Sequence, residues 1–181
     1  GEPVWLRQTH STRIVDAARC PPGPIEADGS TSTQTGIICA VLTADCLPLL
    51  LCDRKGSQVA AVHAGWRGLA AGIIETAVKK FTANGSELLV WLGPAISAEA
   101  YEVGDEVREI FITQHPAAES AFQASGRKWR MDIYQLARQR LQQLGIHSIY
   151  GGEHCTFREA EHFYSYRRDG VTGRMASVIW K

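Results

Sequence analysis

The sequence predicts an α+β domain in which mixed β-sheets pack in layers with helices. Three observations predict it. Short apolar, β-branched segments crowd the chain up to His63. Apolar stripes with helical spacing fill the middle. Strand-like segments return from His147 onward. That order is neither a regular strand–helix alternation nor an all-strand pattern.

Each element has its own local reason. VWLRQTHSTRIV reads as strand, turn, strand. Residues 20–36 are rich in Pro, Gly, Ser and Thr, which predicts a long loop at the surface or over a site. Ile37–Leu42, Leu47–Cys52 and Gln58–His63 read as buried strands. Pro48 is tolerated near a strand start, and DRKGS makes the turn before the third. A helix follows on the stripe Leu69, Ile73, Ala77, Phe81, with Ile74 and Val78 beside it, and ends at Asn84–Gly85. Glu87–Leu92 is a strand broken by Gly93–Pro94. Val103–His115 is a second helix stopped by Pro116. Asp132 caps a third helix, whose apolar face is Ile133, Leu136, Ala137, Leu141 and Leu144 and whose end is Gly145. The tail offers strands at His147–Tyr150, Glu161–Tyr166 and Arg174–Trp180, the last after a turn at Arg168–Gly173. Trp5, Trp91 and Trp180 read as core anchors.

The length of 181 residues suits one core, and no linker divides it, so a single domain over 1–181 is expected. Lys plus Arg equals Asp plus Glu at 19 each, which gives no general pull toward nucleic acid or an anionic membrane. The apolar runs are too short to cross a bilayer. The N-terminus has no basic region followed by an apolar core, and it lacks an initiator Met, which reads as a truncated or processed chain. Five cysteines, an odd number with no CxxC pair, fit a reducing compartment. A cytoplasmic monomer is expected.

The chemistry-bearing residues fall into two groups. In TADCLPLLLCD and AAVHAGWRG, Cys46 stands just before one apolar strand and His63 at the end of another. If the strands pair, the two meet at one sheet end, either as a thiolate–imidazolium nucleophile pair or as two ligands of a zinc ion. His10 is the natural third ligand, although the spacing of 10, 46 and 63 matches no standard metal motif. Three protein ligands with an open position is the catalytic form of zinc. Gly65 and Gly68 bracket Trp66 and Arg67, and the following helix start together with Arg67 suits an anion. Asp45 is a candidate to orient a ligand or to act as an acid, and Asp28 to close over the site from the long loop. The second group is near the C-terminus. His154, Cys155 and His162 are a further possible metal set, close to Glu153, Glu159 and Glu161. Phe163, Tyr164 and Tyr166 beside Arg167 and Arg168 suit stacking on a planar ligand and contact with phosphate. Cys39 and Cys52 read as core, and His115 and His147 as non-functional.

Taken together, LRQTHS, ADGS, TADCLPLLLCD, VHAGWRGLAAG, WLGPAISAEAYEVG and FYSYRRDGVTGRMASVIW closely resemble the YfiH family, over essentially the whole chain. Its members have been labelled laccase-domain or multicopper polyphenol oxidoreductase proteins and, later, purine nucleoside phosphorylases. The resemblance implies a fold like that of a bacterial toxin deamidase with a catalytic Cys–His pair. It implies a zinc site made of His10, Cys46 and His63, with copper as the alternative metal. The implied substrates are purine nucleosides and phosphate, and the implied reactions are phosphorolysis of nucleosides, including methylthioadenosine, and deamination of adenosine. On this basis Cys46, His63, Asp45 and Arg67 are expected in the catalysis, and Asp28, Arg67, Tyr166 and Arg167 on the substrate. Two rival readings accompany it: a cysteine hydrolase or amidase acting on peptidoglycan precursors, with Cys46 as nucleophile and His63 as base, and a copper-dependent polyphenol oxidase. Six scattered histidines suit the last poorly. Two features depart from the family pattern. His10 is followed by Ser11 where Gly is frequent, and a usual N-terminal section near the pocket is not part of this sequence.

Overall fold

Strand register is what brings the distant segments together. The computed structural model describes residues 1–181 except Pro22 and Pro24, so that part of the loop reading lies outside the described residues. In chain order, β1 (Pro3–Val4), β2 (Leu6–Arg7), β3 (Ile14–Asp16), β4 (Ile25–Glu26) and β5 (Gly29–Ser32) precede the long strands β6 (Ile38–Thr43), β7 (Leu47–Asp53) and β8 (Val59–Ala64). Helices α1 (Trp66–Ala71) and α2 (Ile73–Val78) follow, then β9 (Leu88–Leu92), β10 (Glu102–Val103), α3 (Asp105–Gln114), β11 (Phe122–Ser125) and β12 (Lys128–Met131). α4 (Ile133–Gln143), β13 (Ser148–Gly151), α5 (Tyr166–Asp169) and β14 (Met175–Ile179) complete the chain.

The central sheet is mixed and runs β13-β9-β7-β8-β5-β3. Along β8 the side chains alternate, as the strand period requires. Ala60, Val62 and Ala64 join the large core with Leu69, Ile73 and Ile74 of the helices. Val59 and Ala61 face the other way, into a smaller core with Cys39 and Val41 of β6. β6 is the middle of a second sheet, β1-β6-β14, stacked on that face. His63, two residues beyond Ala61, therefore emerges between the two sheets at their common end. A third, antiparallel sheet, β10-β12-β11, carries α3.

The layered α+β prediction holds, and four of its details change. The expected single helix is two, because Gly72 takes a left-handed φ of 93° and ends α1. Residues 29–32 are not loop but a buried strand between β8 and β3. Only small side chains fit there, since a Cβ on Gly29 would come within 2.9 Å of the Ala61 carbonyl oxygen. Glu161–Tyr166 is not a strand. Those residues form turns that lead into α5, which Ser165 caps by accepting from the Arg168 N–H. Trp5, Trp91 and Trp180 are 45%, 39% and 59% exposed, so they do not anchor the core. Among the described residues, no helix is long and apolar enough to cross a membrane.

Candidate functional site

Three backbone segments deliver the donor atoms. His63 lies near the end of β8, opposite Pro48 of β7. Cys46 stands just before β7 begins. His10 follows β2 in a left-handed conformation, φ 60°, a region a residue with a β-carbon enters only when its surroundings hold it there. The surroundings are Asp28. Its carboxylate accepts the backbone N–H of Thr9, His10 and Ser11 at 3.2, 2.9 and 2.7 Å and the Ser11 hydroxyl at 2.7 Å. The same group accepts His63 Nδ1 at 2.8 Å. One buried carboxylate thus fixes the His10 loop and the His63 ring together. With Nδ1 committed, His63 presents Nε2 to the cluster.

The donor atoms of His10, Cys46 and His63 all lie within 4.8 Å of one another. Cys46 Sγ is 3.7 Å from His10 Nε2, and the two imidazole rings meet edge-on with centroids 4.8 Å apart. Ligands around a tetrahedral zinc are separated by about 3.5 Å, from bond lengths of about 2.3 Å to sulfur and about 2.0 Å to nitrogen. The donor set fits such an ion with small rotations and leaves one position open. Gly65 keeps the space clear. A Cβ there would stand 2.6 Å from His10 Cδ2 and 3.0 Å from Cys46 Sγ.

The electrostatics agree with a ligand set. Burial disfavours the Cys46 thiolate, but His10 and His63 outweigh it and bring the thiol down to about 7. Burial likewise opposes the His63 imidazolium, yet Asp28 and Cys46 lift it to about 9. Asp28 also feels burial first. The hydrogen bonds from His63, Ser11 and Thr9 still hold its carboxyl well below the usual carboxylate range.

The cluster forms the floor of a cavity of about 570 Å³, a size suited to a small molecule. Trp66, Arg67, Tyr101, Tyr166, Arg167 and Gln8 are among its walls. Arg67 and Arg167 are exposed. Arg67 lies over the Trp66 ring at 4.6 Å, and Arg167 over the Tyr101 ring at 5.3 Å. Tyr166 is 62% exposed at the rim.

Several expected roles change with these positions. Asp28 does not close over the cavity. It has no exposed surface and sits behind the histidines. Asp45 lines the cavity and also braces the loop beside Cys46. Its two carboxylate oxygens accept Thr156 Oγ1 at 2.6 Å and the Arg167 N–H at 2.7 Å. It also holds φ 88°, so the residue beside Cys46 is fixed in direction. Arg168 turns away, donating to the carbonyls of Thr156, Phe157 and Phe163. α1 has six residues, so the anion-binding capacity of this corner rests on the Arg67 side chain rather than on a helix end. His154, Cys155 and His162 do not converge. Among the described residues the cluster at His10 is the one group of three or more donors placed for a metal. Sequence reading missed Trp66 and Tyr101. Both stood inside the segments AGWRG and SAEAYEV, where nothing but their later proximity to Cys46 marks them.

The comparisons with known proteins bear on this site directly. A family model described as multi-copper polyphenol oxidoreductase laccase matches residues 1–181. The chain is 52% identical over 179 residues to a purine nucleoside phosphorylase, YfiH, of Escherichia coli (strain K12), covering 99% of this chain and 74% of that protein. A purine nucleoside phosphorylase of Haemophilus influenzae is 48% identical over 181 residues, covering 98% and 74%. Among solved structures, the Neisseria meningitidis protein NMB0706 has a TM-score of 0.95 at 49% identity, covering 97% of this chain and 73% of that one. The Bacillus licheniformis hypothetical protein YfiH has a TM-score of 0.89 at 31% identity, covering 98% and 73%. A match over the full length, at these identities and with the same layered fold, means that this chain belongs to the YfiH family.

Proposed function

We propose that the chain is a metal-dependent purine nucleoside phosphorylase, with zinc as the metal and His10, Cys46 and His63 as its ligands. The observation that carries the proposal is a three-donor cluster at the floor of a cavity walled by three arginines, Arg67, Arg167 and Arg174, and by the aromatic residues Trp66, Tyr101 and Tyr166. The names of the relatives supply the reaction class. When bound, the metal supplies Lewis-acid polarisation at the open position. The rest falls to the chain. Arg67 and Arg167 hold phosphate and neutralise its charge beside the ribose. Tyr166, exposed at the rim, offers its face to the purine. A phosphate oxygen bonds to C1′ of the ribose while the bond from C1′ to the base nitrogen breaks. The electron pair leaves on the base, which takes up the proton that the hydrogen phosphate gives up, giving free base and ribose 1-phosphate. Phosphorolysis of methylthioadenosine and deamination of adenosine are finer activities of the same reading. In deamination Asp45, the acid among the cavity walls, helps move a proton to the leaving ammonia. Substrates are small molecules, and the near-zero net charge offers no basis for nucleic-acid binding.

The test is to incubate metal-loaded protein with adenosine, inosine or guanosine and phosphate, with and without a chelator. Free base and ribose 1-phosphate are expected with metal alone. No product from any of the three nucleosides would remove the reading. The cysteine hydrolase alternative is favoured by one observation, the Cys46 thiol at about 7 beside His63 at about 9, which makes an ion pair available without metal. It requires that chelation leave activity intact, so the same experiment separates the two. The multicopper oxidase reading lacks ligands. Several copper sites need several donor groups, and one is found among the described residues.

A further inference from the structure

Tyr101 is 8% exposed, yet it lines the cavity above the metal cluster. Its backbone is fixed by the Met131 N–H, which donates to the Tyr101 carbonyl at 2.9 Å. Its ring lies under the Arg167 guanidinium, and it shares the lining of the cavity with Arg67, Asp45 and Cys46. Among the described residues no group hydrogen-bonds the Tyr101 hydroxyl, and it is not among the atoms sealed from solvent. A buried tyrosine hydroxyl ordinarily has a partner. Here the partner's place is in the cavity.

The surroundings say what kind of partner fits. The Arg167 guanidinium covers the Tyr101 ring and is steadied by one bond, Nη1 to the Glu102 carbonyl at 3.1 Å. Its other N–H groups bond to no described residue. Arg67 lies on Trp66 and, like Arg167, forms no ion pair with any described residue. The only acid among the lining residues is Asp45, whose oxygens are already taken by Thr156 and the Arg167 backbone. Three arginines line the cavity with no ion pair to any described residue, Arg174 being bonded to the Thr172 and Gly173 carbonyls, and with one unpaired neutral donor they make a binding place for a multiply charged oxyanion.

We propose that Tyr101, Arg67 and Arg167 form the subsite for the phosphate co-substrate, with the Tyr101 hydroxyl donating to one of its oxygens. The assignment deepens the phosphorylase reading and rests on it. It separates the cavity into a phosphate half, at Tyr101, Arg67 and Arg167, and a metal half, at His10, Cys46 and His63.

The experiment is Tyr101→Phe, which keeps the ring under Arg167 and removes only the hydroxyl. In metal-loaded full-length protein the KM for inorganic phosphate should rise about 10- to 100-fold, the loss of one hydrogen bond to a charged group. The nucleoside KM should stay within about twofold, and metal content and Tm should not change. A second arm titrates inorganic phosphate into wild type and Y101F without nucleoside, read by calorimetry, and should show the same loss of affinity. If wild type turns over nucleosides and Y101F keeps its phosphate KM, the Tyr101 subsite is wrong while the phosphorylase reading stands. If wild type shows no turnover but binds phosphate, and Y101F binds it more weakly, the subsite stands and the nucleoside reading falls. If wild type does neither, both fall.

Discussion

The residues around His10 and those around His154 are chemically alike and do opposite things. At the first place, His10, Cys46 and His63 point their donors at one another. At the second, each side chain has turned to a different neighbour. His154 Nδ1 lies 3.0 Å from Glu159 Oε2. Cys155 Sγ accepts the Ser97 N–H at 3.4 Å. His162 meets Phe163 edge-on, centroids 6.2 Å apart. The second set is far closer in sequence, and still fails to converge. Its residues sit on a run of turns. Those of the first set sit at the ends of strands whose register is fixed, and behind them Asp28 ties two segments at once. A metal centre is made by aimed donors, and here the aim comes from a fixed backbone and one buried carboxylate that holds the His63 ring and the His10 backbone.

This contrast can be broken most severely at the ligands. Cys46→Ser and His63→Ala should each lower bound metal and phosphorolysis by at least about 100-fold, more than loss of an outer-shell partner costs. Elemental analysis and a product assay read both. Cys155→Ala and His154→Ala should leave metal content unchanged. A metal stoichiometry that falls in the second pair and not in the first would invert the assignment.

Next in size is the residue behind the rings. Asp28→Asn should weaken metal affinity about 10- to 100-fold. It should also lower Tm at neutral pH, and the sign with pH is fixed. Asp28 titrates lower in the folded chain than when unfolded, so its contribution is present above the unfolded carboxylate range and is lost as pH falls. The Tm gap between wild type and D28N should therefore narrow on acidification. A gap that is constant or widens toward acid would contradict the role.

A smaller effect separates the two cysteines in chelated protein. Cys46 should react with iodoacetamide at a rate that rises with pH through a midpoint of about 7, since the thiolate is the nucleophile and its proton is lost there. Cys155, 7% exposed, should react far more slowly across the same range. Mass spectrometry of the modified peptides decides it. Smallest is Asp45→Ala. It removes two hydrogen bonds and leaves a left-handed residue without its support, a cost of about 2–4 kcal/mol in stability, with metal still bound at saturating concentration.

How much of this the sequence discloses depends on how local the cause is. The third helix was legible to its cap, because Asp132 accepts the Gln135 N–H and the stripe from Ile133 to Leu141 is a local pattern. Strands β6, β7 and β8 were legible from their apolar content. Strand β5 was not, since Gly-Ser-Thr-Ser has the composition of a loop and becomes a strand through close packing between β8 and β3. The hairpin of β11 and β12 gave no sign of its own either, because Phe122 and Met131 are its only buried members. At the site, Cys46 and His63 could be paired by supposing that their strands pair. The part played by Asp28 could not be read, because it depends on bonds spanning 18 and 35 residues that no periodicity records. Tyr101 was invisible for the same reason.

The span of those bonds also sets an order of manufacture. Asp28 and the three metal donors all lie within the first 64 residues, whereas Asp45 reaches Thr156 and Arg167 across 111 and 122 positions. A ribosome adding residues at its usual rate needs about 5–20 s to travel from His63 to Arg167. During that interval Asp28 and the His10, Cys46 and His63 cluster have been made, while Thr156 and Arg167, the partners of Asp45, have not. A nascent chain stalled between these points should lack the brace on Asp45, so the left-handed residue beside Cys46 is locked only when the C-terminal part of the chain arrives.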